Sequence, residues 1–263
     1  MLELVDSHCH VDFDPLGSDL PSVLDRARAN GVSHLLCVSV TLEKFPDVRS
    51  LALAHPHIFA SVGVHPNERN GHDPVVDELV ALAREPEIVA VGETGLDYFR
   101  SDGDLRWQQD RFRNHIRAAR KAQKPLIVHT REAATDTIRI MQEEGAQSIG
   151  GVMHCFTETW ETARAALDQD FYISFSGIIT FRNAESLREV ARRVPADRLL
   201  IETDAPYLAP VPFRGKTNEP SYVRYVAECL ATIRGESLES IAAQTTENFF
   251  RLFQCARVTT RHR

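Results

Sequence analysis

The 263-residue chain holds no uninterrupted apolar run near the roughly 18 residues that a membrane span needs, so membrane association is not expected. Its five cysteines, Cys9, Cys37, Cys155, Cys229 and Cys255, are odd in number, scattered and without a C-x-x-C pair. That pattern excludes both a disulfide framework and a thiolate zinc site. Positive charge is also short: the formal net charge is -7, which opposes tight wrapping of a duplex. A phosphate-bearing substrate survives this exclusion, because cations held at an acidic site invert the local field. Low-complexity stretches, Gly/Ser linkers and short-period repeats are missing, so no internal boundary offers itself. The expectation is one domain over residues 1–256 and a basic tail, RVTTRHR, at 257–263. The opening MLELVDSHCH carries acids and no basic leader region, which makes the cytoplasm the expected location. Nothing suggests an obligate protein partner.

Short β-branched apolar runs recur instead. They are LELVDSH, HLLCVSV, IFASVGV, IVAVGE, PLIVHT, GGVMHCF, FYISFSG and RLLIETD, eight in all. Between them lie segments such as DLRWQQDRFRNHIRAARKAQ and RNAESLREVARRV, with apolar residues three and four apart and charged opposite faces. Alternating buried strands and amphipathic helices predict a parallel sheet covered by helices, and eight such units over this length predict a (β/α)8 TIM barrel.

The chemistry gathers at the ends of these runs. His8 and His10 stand two apart after LELV, and side chains two apart in a strand face the same way. Glu93 ends IVAVGE, His129 ends PLIVHT, His154 ends GGVMH and Asp204 ends RLLIETD. In a barrel the C-terminal strand ends surround one mouth, so these distant residues are expected to converge. Parity agrees: Val89, Val91 and Glu93 should share one face, as should Leu200, Glu202 and Asp204. Histidines and carboxylates gathered without partners would be costly, and a cation is the simplest compensation. Four imidazoles and two carboxylates exceed the needs of one tetrahedral ion but suit two divalent ions, with Glu93 as the bridge. Mixed nitrogen and oxygen donors fit zinc, manganese or magnesium.

VDSHCH, GVHP, GETGLDY, VHTREA, GVMHCF, YISFSG, ETDAPYLAP and FRGKTNEP, in this order, resemble the TatD-type metal-dependent deoxyribonucleases of the amidohydrolase superfamily. The resemblance runs from Val5 to about Phe253. It implies a TIM barrel, two divalent metals with magnesium as the usual activator, and hydrolysis of DNA phosphodiesters as an endonuclease or a 3′ to 5′ exonuclease. It further implies that His8, His10, Glu93 and Asp204 hold one metal, that Glu93, His129 and His154 hold the other, and that Asp204 accepts the proton of the attacking water. Glu93 and Asp204 are thus the expected catalytic residues. Many amidohydrolases that act on small amides or esters bridge their metals with a carboxylated lysine from the fourth strand. IVAVGETGLD contains no lysine. A small-molecule amide, ester or phosphoester hydrolase, and a metal-binding protein without turnover, are the competing readings.

Around these residues, His65 in GVHP is expected to touch substrate or support a ligand, and Glu202 to orient a ligand or an arginine. Arg131 and Arg214 suit either phosphate contact or structural salt bridges. Lys216 reads as a solvated loop residue. Tyr98, Phe99 and Phe156 are placed either to stack on an unpaired base or to pack the rim, and Cys155 is expected to pack away from His154. A mouth with modest positive charge suits single-stranded or frayed DNA as the substrate.

Overall fold

The computed structural model describes residues 2–256; the basic tail lies outside the described residues. Eight parallel strands hydrogen-bond in chain order. They are β1 (Leu4–Cys9), β2 (Val32–Cys37), β3 (Ile58–Val62), β4 (Ile88–Asp97), β5 (Leu126–Arg131), β6 (Gly151–Met153), β7 (Phe171–Phe175) and β8 (Leu199–Ile201). The helices are α1 (Leu20–Ala29), α2 (Phe45–Ala54), α3 (Val76–Ala83), α4 (Arg106–Ala122), α5 (Ala134–Glu143), α6 (Trp160–Leu167), α7 (Glu185–Arg193), α8 (Val223–Arg234) and α9 (Leu238–Leu252). The result is the (β/α)8 barrel that the alternating pattern predicts. No helix among the described residues is long and apolar enough to cross a membrane.

The helices form for the reasons their spacing suggests. In α4, Phe112, Ile116 and Ala119 recur along one face and are fully buried, while Arg113, Arg117 and Arg120 turn outward to Glu143 and Glu144. Thr159 and Ser237 cap α6 and α9 by accepting from backbone N–H groups three residues on. Gly235, at φ 66, ends α8 in the left-handed conformation.

Two apolar layers result. The larger lies between sheet and helices; the smaller joins Val5, Leu36, Phe59, Val152 and Leu200 with Phe249 and Phe253. Helix α9 lies at the strands' N-terminal ends, where Asn248 donates to the Leu199 carbonyl and Thr246 to that of Glu3. The opposite end is left open.

Strand β4 departs from simple alternation. Its pairing slips between Ala60 and Ser61 of β3, and again between Val91 and Thr94 against β5. Val89 therefore packs with the inner layer and Val91 with the outer one, so the expected shared face of Val89, Val91 and Glu93 is not formed. Glycine makes the slip possible. A Cβ on Gly95 (φ +133) would meet the His129 carbonyl oxygen at 2.0 Å, and one on Gly92 (φ +144) would meet the Ile127 oxygen at 2.6 Å.

The ring is completed at the open end. Asp204 N–H donates to the His8 carbonyl at 2.9 Å and His10 N–H to that of Ala205 at 2.8 Å. Beneath them the buried Asp6 carboxylate accepts from Thr203 N–H at 2.9 Å and from the Thr203 hydroxyl at 2.5 Å.

Candidate metal centre at the barrel mouth

The six expected ligands come together, though not all from strand ends. Glu93 lies inside β4, which runs on to Asp97, and His129 lies inside β5. His10 follows β1, His154 follows β6, and Asp204 sits in a left-handed turn (φ 57) beyond β8. The shared face expected for Leu200, Glu202 and Asp204 is likewise not a strand face past Ile201.

Glu93 is central. Its Oε2 lies 3.4 Å from His8 Nε2 and 4.0 Å from His10 Nε2. Those two nitrogens are 3.3 Å apart and lie 3.7 and 3.5 Å from Asp204 Oδ1. Its Oε1 lies 2.7 Å from His154 Nε2, 3.0 Å from His129 Nδ1 and 3.4 Å from His65 Nε2. One carboxylate is thereby divided between two groups of imidazole nitrogens.

The far side of each ring decides which nitrogen carries the proton. His10 Nδ1–H donates to the Val38 carbonyl at 3.0 Å, since a carbonyl can only accept. His129 Nε2–H faces Asp97 Oδ2 at 3.3 Å, and His154 Nδ1–H faces Glu202 Oε1 at 3.3 Å. In the neutral rings the near nitrogens then present lone pairs to the anionic oxygens of Glu93 and Asp204. Lone pair against carboxylate is repulsive unless a cation stands between them, and carboxylate-backed histidine is the usual support of a metal ligand. The donor set fits divalent ions on this ground.

A proton on the near nitrogens is the other way to relieve that repulsion. Burial opposes charge on Glu93, but a protonated His154 beside it, with hydrogen bonds donated by protonated His129 and His154, would outweigh burial and hold the carboxyl well below its usual range. Burial likewise opposes charge on Asp204 and would be outweighed by a hydrogen bond from a protonated His10.

His65 is arranged differently from the six. Its Nδ1 accepts from Asn67 N–H at 3.0 Å, which leaves the proton on Nε2 and makes that atom a donor. Burial pushes its pKa down to about 4, so the ring is neutral.

These residues floor a cavity of about 970 Å³, which Arg131, Arg214, Lys216 and Tyr207 also line. Of the two roles open to Arg131 and Arg214, the salt bridge is not formed with any described residue. The Arg131 guanidinium lies 3.8 Å over the Phe99 ring, and that of Arg214 lies 4.3 Å over Phe181. Lys216 reaches the Phe213 ring, 5.8 Å away.

Two of the three aromatics considered for base stacking are committed elsewhere. Phe156 is buried against Phe175, and the Tyr98 hydroxyl donates to Asp136. Phe99 stays exposed. Cys155 departs from expectation: a left-handed backbone (φ 43) breaks the alternation after His154, and the residue lines the cavity with its thiol 3.2 Å from the Ser176 hydroxyl.

Three supporting residues escape a reading that looks only for ligand types at strand ends. Asp97 backs His129 and is held by Asn67 Nδ2 at 2.7 Å and by Arg100 N–H. Asn67 holds both Asp97 and the His65 tautomer. Asp6 joins β1, which carries His8, to the segment after β8 that carries Asp204. The available signal was an acid at fixed offset from a ligand: Asp6 two before His8, and Asp97 four after Glu93.

Residues 5–254 match the family described as TatD related DNase. The chain is 51% identical over 254 residues to the uncharacterized metal-dependent hydrolase YcfH of Escherichia coli K12, covering 95% of each. It is 34% identical over 242 residues to the 3′-5′ ssDNA/RNA exonuclease TatD of Salmonella typhimurium, covering 90% of this chain and 93% of that one. Among solved structures it is similar to YJJV, a TatD homologue from Escherichia coli K12. The TM-score there is 0.89 at 31% identity, over 95% of this chain and 98% of the other.

Proposed function

The chain belongs to the TatD related DNase family, and from that premise we propose that it is a metal-dependent hydrolase that cleaves DNA phosphodiester bonds, working from the 3′ end of single strands. The observation that carries the proposal is the division of Glu93, whose two oxygens face separate groups of imidazole nitrogens. The name of the Salmonella relative supports the nucleic-acid substrate and the polarity.

In this proposal His8, His10, Glu93 and Asp204 would hold one divalent ion, and Glu93, His129 and His154 would hold the second. Magnesium is the proposed activator, with manganese or zinc as substitutes. Such ions acidify coordinated water and polarise phosphoryl oxygens. Asp204 takes one proton from the attacking water, whose oxygen ends on phosphorus as the bond to the leaving nucleoside oxygen breaks. His65 Nε2–H donates to a non-bridging phosphate oxygen, and Arg131 and Arg214 offset the remaining phosphate charge. Glu202 and Asp97 act through His154 and His129, which they orient.

The test is release of nucleotides from a 3′-labelled single-stranded DNA by wild type and Glu93→Ala, each chelated and then resupplied with magnesium or manganese. Metal-dependent release by wild type that disappears in the variant is the expected result. A wild type that binds metal by elemental analysis yet releases nothing would move the assignment to small-molecule hydrolysis.

A further inference from the structure

Five large hydrophobic residues stand exposed among the described residues: Leu53, Val75, Phe99, Tyr207 and Val211. The two aromatics of the set, Phe99 and Tyr207, are 55% and 54% exposed. Tyr207 lines the cavity, and Phe99 packs against the lining residue Arg131 and stands in sequence between the lining residues Asp97 and Arg100. They stand on opposite walls. Phe99 follows β4 and Tyr207 follows β8, and in a ring of eight strands the fourth and eighth face each other across the mouth.

Two cations that pair with no described carboxylate share this cavity, one of them directly against Phe99 and the other over Phe181. The Arg131 guanidinium covers one face of Phe99 at 3.8 Å, and Arg214 lines the same cavity as Tyr207. Exposed rings and unpaired guanidinium groups around one mouth, above a floor of candidate metal ligands, match the chemistry of an unpaired nucleotide: a π-face to stack and a phosphate to neutralise.

We infer that Phe99 and Tyr207 are nucleobase platforms on either side of the scissile phosphate, so that the preferred substrate carries an unpaired base in both flanking nucleotides. The inference rests on the proposed phosphodiesterase activity and adds a requirement to it. A duplex interior cannot present its bases to either ring, whereas a single strand crossing the mouth from the β4 side to the β8 side presents one to each. Stacking contributes about tenfold or more in binding per base.

The test compares wild type, Phe99→Ala, Phe99→Leu and Tyr207→Ala on short single-stranded DNA, intact or with an abasic residue on one side of the cleaved bond. Each alanine variant is expected to raise KM for the intact strand about tenfold with little change in kcat, and to lose that deficit on one of the two abasic strands. Phe99→Leu, apolar but without a π-face, should resemble Phe99→Ala. Variants with wild-type KM, or variants equally impaired on intact and abasic strands, would overturn the platforms while leaving the nuclease assignment in place. A metal-loaded wild type that cleaves none of the strands would remove both.

Discussion

Glu202 is the residue on which both halves of the centre converge. Its Oε1 accepts from His154, while its Oε2 and His8 Nδ1 are both buried without a partner among the described residues. The His8 and His154 rings stack with centroids 3.9 Å apart, and potential ligand atoms of the two rings and of Glu202 lie within 4.8 Å of one another. One buried carboxylate thus stands behind a candidate ligand on each side of Glu93. Glu202→Gln keeps the shape and removes the charge, and should weaken metal binding about 10- to 100-fold at both positions. Calorimetric titration of the metal-free protein would show it; a single weakened step would assign Glu202 to His154 alone. At this scale the sequence exposed residue types better than their environments. His8, His10, Glu93, His129, His154 and Asp204 announce themselves by donor chemistry. The tautomer of His65 depends on Asn67, a neutral residue that ligand spacing does not single out.

Among the elements, β4 carries the most constraint. Gly95 pairs with His129 across the β4–β5 ladder, and its φ of +133 leaves no room for a side chain. Gly95→Ala should cost about 3 kcal/mol or more, from backbone strain together with overlap on the His129 carbonyl. Denaturant unfolding would measure the loss, and a cost under about 1 kcal/mol would show that the strand adjusts easily. Helix α4 bears on the neighbouring loop through His115, which donates from Nδ1 to the Arg111 carbonyl at 2.8 Å and accepts at Nε2 from Val64 N–H at 3.0 Å. Burial pushes its pKa down to about 4 from an ordinary 6.5. Between those values the unfolded chain takes up a proton that the folded protein refuses. The stability this histidine contributes is complete above about pH 6.5 and falls by about 3 kcal/mol as the pH drops to its folded value. His115→Gln should flatten that part of the profile between pH 7 and 4.5, and an unchanged slope would reject the assignment. Periodicity revealed the eight strands and the helices α4 and α7, because their faces are uniformly buried or cleanly divided. It misread the parity of β4, because two register slips and the glycines that permit them leave no periodic trace.

For the whole molecule, architecture was the most legible feature, since eight β-branched runs alternating with amphipathic segments admit few arrangements. The aromatic platforms were only partly legible: Tyr98, Phe99 and Phe156 look alike in sequence, and it is packing against Asp136, Arg131 and Phe175 that separates them. The candidate ligands lie in or directly after β1, in β4 and β5, directly after β6 and in the segment after β8, so bound metal would fasten most of the ring at one end. Magnesium or manganese at a hundredfold excess over its dissociation constant should stabilise the fold by about 2.7 kcal/mol. Thermal denaturation with and without chelator would register it as a rise in Tm, and no rise at confirmed occupancy would mean that the unfolded chain binds metal equally well.

The bonds that complete the ring also impose an order on biosynthesis. Asp6 and Thr203 are separated by 197 positions, and the contacts of His8 and His10 with Asp204 and Ala205 span as much of the chain. A polypeptide leaving the ribosome from its N-terminus can assemble the earlier strands, but the half of the centre that contains Asp204 cannot form until the segment from Thr203 to Ala205 has emerged. The candidate ligands His8 and His10, made first, wait for a partner made late. A nascent chain held beside the messenger that encodes it has no complete centre before that segment is free.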